Sequence, residues 1–201
     1  MKRVNAVWIP VLVGAALLAS GCSITPGHKE LKSPATRAQG SIATAATATG
    51  MPAGRVGWGR ISLFAIPVAP VHVHGDASSE TMNFVREALT NAGYSVSTVD
   101  NGTSPQGPWL AVNVEQYKFN NYTWLAPLIF TWGSIELDVT LRDASEKVLW
   151  QKNYLGKGTS LHITEGFTNS AEKCMTRVLD QMIVDFSSAG FSGAALAVAA
   201  K

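Results

Sequence analysis

His72-Val73-His74-Gly75-Asp76 is the cluster whose residue types could do chemistry. In an extended segment residues i and i+2 point to the same side, so His72 and His74 could reach one metal ion, with Asp76 adding an oxygen ligand. A catalytic zinc takes three protein ligands and keeps one open position. The third ligand would be His162, if the fold brings it close; the only other histidine is His28. The competing reading is a polar strand end, with Asp76 capping the helix that follows. Two further arrangements are incomplete. Gly156-Lys157-Gly158-Thr159-Ser160 has part of a phosphate-loop pattern, but Gln151 stands where the first glycine belongs. Gly190-Phe191-Ser192-Gly193-Ala194 only approaches a nucleophile elbow. None of these is a complete catalytic set, so the reading is of a protein that is not an enzyme and needs no cofactor.

The second chemistry belongs to Cys22. Lys2 and Arg3 form a positive n-region, Val4 to Ala19 a nearly unbroken apolar run, and Ser20-Gly21 the small residues that a signal peptidase needs. The apolar run includes Asn5, Pro10 and Gly14 and is short for a membrane span. Over residues 18–22 the segment resembles the lipobox of bacterial lipoprotein precursors, with Ala19 where most carry leucine. The resemblance implies that the Cys22 thiol is acylated, by palmitate for example, and that the chain is cut before it. Residues 1–21 are then a lipoprotein signal peptide. Ser23 resembles the residue that follows the cysteine in outer-membrane cargo; inner-membrane cargo usually carries aspartate there. The expected location is the bacterial outer membrane, lipid-anchored and facing the periplasm.

Composition narrows the partners. Lys2 and Arg3 are two of 16 basic residues, and without the leader basic and acidic side chains are equal at 14 each. That balance gives no basic patch for nucleic acid and no charge run for electrostatic docking on a membrane. With Cys22 acylated, Cys174 is left without a disulfide partner, and an unpaired thiol in an oxidising compartment is best kept buried.

These residues need elements to position them. Residues 22–55 are rich in Ala, Thr, Ser, Gly and Pro, lack hydrophobic periodicity, and read as a lipidated N-terminus followed by a flexible tether. Such a chain reaches roughly 30 Å. The folded domain is expected over 56–190, with 191–201 as a disordered tail. Arg60 to Pro67 reads as a strand ending at the prolines. Asp76 to Glu80 offer helix caps, and Met82, Val85, Leu89 and Ala92 recur at helical spacing before Gly93. The spacing predicts a helix over 79–92, then a strand over 94–99. Leu110, Val112 and Val114 alternate with Ala111, Asn113 and Glu115. Ile135, Leu137, Val139 and Leu141 alternate with Glu136, Asp138, Thr140 and Arg142, and Asp143 to Glu146 turn the chain into a return strand from Val148. Met175, Val178, Leu179, Met182, Ile183 and Phe186 form one apolar stripe of a final helix, capped by Thr168 or Asn169 and ended by Gly190. The expected class is α+β: a mostly antiparallel sheet of about five strands covered on one face by two helices.

Tyr122 to Trp132 carry four aromatics and four aliphatics with no charge. Pro127 argues against a regular central strand across it. One reading is an irregular strand entering the core. The other is an exposed loop in which Trp124, Leu125, Leu128, Ile129, Phe130 and Trp132 dock on a membrane or a protein partner.

The element order, with "REALTNAGYSV", "IELDVTLRDASEKVLW" and the closing amphipathic helix, resembles small bacterial lipoproteins of the YajG type and the auxiliary lipoproteins of ABC-type lipid transporters, over residues 60–187. These patterns mark a fold and carry no site. The histidine cluster also resembles the H-x-H-x-D part of the metallo-β-lactamase signature, although Ala77 replaces its adjoining histidine. Three functions stay open: a non-catalytic envelope interaction module bound to another envelope protein, a lipid-binding accessory of an envelope transporter, and a metal-dependent enzyme using His72 and His74.

Overall fold

The structure is a computed structural model that describes residues 22–61, 64–99, 105, 107–123, 128–162 and 167–199. For Cys22, His162 and residues 197–199 it describes the backbone alone. The signal peptide assigned to 1–21 lies outside the described residues.

Among the described residues the strands are β1 (Cys22–Ile24), β2 (Ser41–Ala45), β3 (Arg55–Ile61), β4 (Ile66–Val73), β5 (Ser95–Val99), β6 (Trp109–Thr123), β7 (Ile129–Arg142) and β8 (Val148–His162). The helices are α1 (Ala77–Ala92), α2 (Thr168–Phe186) and α3 (Ala189–Ala199). The class is α+β as expected. The sheet differs from expectation, having eight strands and a mixed topology. Three pairings are antiparallel, β3–β4, β6–β7 and β7–β8. Four are parallel: β1–β4, β2–β5, β2–β6 and β3–β6.

The long strand β6 organises the molecule. One edge pairs with β7 from Trp109↔Arg142 to Thr123↔Ile129. The other edge is shared. Its first residues pair with β2 and its last five with β3, so residues 43–61 run beside β6 in the same direction. Thr49 bridges Asn113 between these two stretches.

The flexible tether is therefore corrected. β2 sits between β5 and β6, with Ile42 and Thr44 fully buried. Alternating small residues hide the strand signal, because Ala and Thr do not contrast as apolar and polar faces. The chain between β1 and β2 also docks. The Lys29 N–H donates to Thr176 Oγ1 (2.8 Å), the Lys32 N–H to Asp180 Oδ1 (3.0 Å), and the Ala38 N–H to the Ala92 carbonyl (2.8 Å). No 30 Å spacer then separates Cys22 from the folded body.

The strand expected over 60–67 is also corrected: the chain turns there, and β3 and β4 form a hairpin. Ala65 takes a left-handed conformation (φ 49°), so no Gly or Asn announces the turn. Pro67 and Pro70 lie in the part of β4 that β1 does not reach, since β1 pairs only with Val71 to Val73. The supposed disordered tail is corrected as well. The helix α2 ends at Phe186, Gly190 lies inside α3, and Phe191 is fully buried against Tyr94, Trp150 and Phe186.

Other expectations match. The helix α1 is capped by Asp76 and ends at Gly93 in the left-handed region (φ 110°). All six residues of the α2 stripe are buried against β7, β8 and α1. Cys174 is fully buried on the same helix, and burial pushes its thiol up to about 12.

Candidate functional site

The histidine cluster does not converge. His72 lies in β4, in register with Ser23 of β1 and Arg55 of β3. His74 lies past the strand end, where its backbone N–H donates to the Ile24 carbonyl (2.8 Å). It lines a cleft of about 370 Å³ with Thr25, His28, Asp76, Glu80 and Phe84. His72 lines a different cleft, with Met51 to Gly54. The two clefts share Gly75 and Asp76. His28 is within 2.9 Å of a Glu87 carboxylate oxygen. Among the described residues no group of three His, Cys, Asp or Glu is placed to hold a metal ion. The His162 side chain lies outside the described residues.

Asp76 instead does the work of a cap. Its Oδ1 accepts the Ser79 N–H (3.1 Å) and its Oδ2 the Ser79 hydroxyl (2.6 Å). Those two hydrogen bonds to Ser79 hold its carboxyl below the ordinary 3.8. A carboxylate with a lowered folded pKa adds stability that is complete above its unfolded value and is lost as pH falls through the folded one. Asp76→Ala should therefore lower the thermal midpoint at pH 7, and the gap from wild type should close below pH 3.8. Thermal melts followed by circular dichroism check both halves of this expectation.

The two glycine motifs are structural. Gly156 and Gly158 are buried in β8 under α2, and Ser192 on α3 directs its hydroxyl to the Ser188 and Ala189 carbonyls (2.9 and 3.3 Å).

One end of the sheet is a different kind of surface. In register across it run Ile66, Ile61, Thr123, Ile129 and His162, then Pro67, Arg60, Tyr122, Phe130 and Leu161. Two rows further in are Trp58, Asn120, Trp132 and Thr159. Phe130 stacks on Trp132 with ring centroids 5.6 Å apart. Phe64, in the β3–β4 turn, is 84% exposed, Leu161 64% and Leu128 50%; Ile61, Ile66 and Phe130 are exposed too. Among the described residues, six of the ten exposed large apolar side chains thus gather at one sheet end, contributed by three separate chain segments. Scattered exposed apolar residues need no explanation; these lie together at one end of the sheet.

The sequence left two readings for Leu128, Ile129, Phe130 and Trp132, an irregular strand and an exposed docking loop; the structure places Ile129, Phe130 and Trp132 in strand β7 at this tip, with Leu128 just before it. Trp124 and Leu125 lie outside the described residues. The sequence reading missed Ile61, Phe64, Ile66 and Leu161. The signal for three of them was present: residues 61–69 carry no charge, as does the stretch 119–135. Reading 60–67 as one strand removed the turn that brings Phe64 to the end of the sheet.

No family model matches the chain, and no curated protein matches it. Its fold is similar to that of protein XCC0632 from Xanthomonas campestris, of family model DUF330, at TM-score 0.52 and 13% identity, covering 85% of this chain and 96% of that one. A PelC dodecamer from Paraburkholderia phytofirmans is similar at TM-score 0.37 and 12% identity, covering 77% and 92%. Lipoprotein GNA1162 from Neisseria meningitidis is similar at TM-score 0.33 and 12% identity, covering 60% and 84%.

Proposed function

We propose that this chain is a lipid-anchored lipoprotein of the bacterial outer membrane, facing the periplasm, and that it works as a non-catalytic interaction module. The observation that carries the reading is the apolar end of the sheet, an interaction surface built from three segments. The leader and Cys22 supply the address. Docking of residues 25–40 on the helices supports a body held close to its anchor.

Envelope fractionation of wild type and Cys22→Ser tests it. Wild type is expected in the outer-membrane fraction, and most of the Cys22→Ser protein in the soluble periplasmic fraction. One weak apolar contact without acyl chains gives only marginal membrane residence. An unchanged distribution of the serine variant would overturn the lipid anchor.

A further inference from the structure

We propose that the apolar sheet end inserts into the same bilayer that holds the acyl chains of Cys22, giving the protein two points of membrane attachment. The inference deepens the reading above and rests on it for the anchor.

The direction of β1 is the first argument. β1 runs parallel to β4, with Cys22 opposite Val71 and Ile24 opposite Val73. β4 itself runs away from the tip, starting at Ile66. The first residue of β1 is therefore its nearest to the tip, and its backbone nitrogen points toward that end. Five residues of β4 separate the level of Cys22 from that of Ile66, about 17 Å at strand spacing. With no free spacer after Cys22, a bilayer that receives its acyl chains on this side also meets Phe64, Leu128 and Leu161.

Charge is the second argument. The runs 61–69 and 119–135 carry no charged residue, and Arg60 and Lys118 are the cations that directly precede them. Lys118 and Lys157 both align with Ser134, about 13 Å behind Phe130, and both are exposed. Glu136 stands further back along β7. An apolar tip followed by aromatic residues and then lysines matches hydrocarbon, interface and anionic headgroups in turn. Long lysine side chains can reach forward to those headgroups.

The full-length lipidated protein supplies its own control for a probe experiment. Cys22 is acylated and Cys174 is buried, so a new surface cysteine is the reactive thiol. Phe64→Cys, Leu128→Cys and, on the outside of α2, Val184→Cys are labelled with a polarity-sensitive fluorophore. Each is mixed with phosphatidylethanolamine–phosphatidylglycerol vesicles, with and without brominated acyl chains. The probes at 64 and 128 are expected to shift to the blue and to be quenched by bromine, while the probe at 184 is unchanged. Flotation of the same samples reports the anchor separately. Floated protein whose probes at 64 and 128 stay as wet as that at 184 would overturn the tip insertion and leave the anchor standing. A blue shift without vesicles that grows with protein concentration would show a second copy at the tip, and would also overturn it. If wild type carries no acyl group, the anchor reading falls, and the same quenching pattern at high lipid concentration still decides the tip.

Discussion

Gly156→Val is expected to destabilise the fold by about 3 kcal/mol, the upper range for forcing volume into a packed core. Gly156 lies opposite Ile135, and Gly158 opposite Gly133, on the strand that α2 covers. A Cβ at Gly156 would run into the Cys174 carbonyl oxygen and the Val178 side chain; one at Gly158 would meet the Ser170 carbonyl. Two of these obstacles are helix backbone, which cannot rotate away. The whole of α2 would have to lift off β8, uncovering Met175, Val178 and Leu179, all buried. Urea titration followed by circular dichroism measures the loss. Gly54→Ala and Gly107→Ala are the controls, since a Cβ at either meets nothing within 4 Å. Their effect should stay within about 0.5 kcal/mol. A Gly156→Val protein as stable as these controls would mean that α2 does not lie on β8 as described.

Arg86→Met should cost up to a similar amount, about 3 kcal/mol, because it leaves the buried Thr44 hydroxyl and two part-buried carbonyls without their charged donor. From α1, the guanidinium donates Nε to Thr44 Oγ1 (2.9 Å) and Nη2 to the Ala45 and Ala46 carbonyls (2.8 and 2.9 Å). Nη1 donates to Asn83 Oδ1 on its own helix (2.6 Å). Burial lowers the Arg86 pKa, but the group stays charged in any ordinary buffer. This one side chain ties β2 to the helix layer, where Thr44 is fully buried. Hydrogen exchange should show the loss first in β2 and its neighbour β5, with β7 and β8 still protected. Arg86→Lys should rescue little, since an ammonium lacks the planar fork that serves three acceptors at once. Uniform loss of protection across the sheet would contradict this local role.

Arg86 and Gly156 sit in elements that the sequence made legible, α1 and β8, but what each of them touches was not legible. The helix α1 was legible because its cap, apolar spacing and terminal glycine agree with one another. The β7–β8 hairpin was legible for the same reason. Asp143 accepts the Ser145 and Lys147 N–H groups, fixing the turn between two alternating strands. β2 was not legible, because its stability comes from elsewhere. Its small residues are buried by β5, β6 and Arg86, contacts that no local pattern records. The segment 25–40 is likewise held by single hydrogen bonds to α1 and α2 and not by a stripe of its own. The mixed sheet follows from this, since three of its four parallel pairings involve β1 or β2.

The candidate site divides in the same way. The uncharged run through Leu128, Phe130 and Trp132 was visible in the sequence, and the structure exposes Leu128 and Phe130. Its partners on β3, β4 and β8 became visible only with the register. The histidine pair shows the reverse. Period-two spacing puts side chains on one side only while the strand continues. β4 ends at Val73, so His74 leaves the strand geometry before the spacing can act.

The central claim is that a modified Cys22 begins the mature protein and holds it at a membrane. Mass spectrometry of the N-terminal peptide from envelope-purified protein tests this most directly. The account predicts a peptide starting at Cys22 and carrying the mass of fatty acyl groups. A peptide that starts elsewhere, or at an unmodified Cys22, would contradict it.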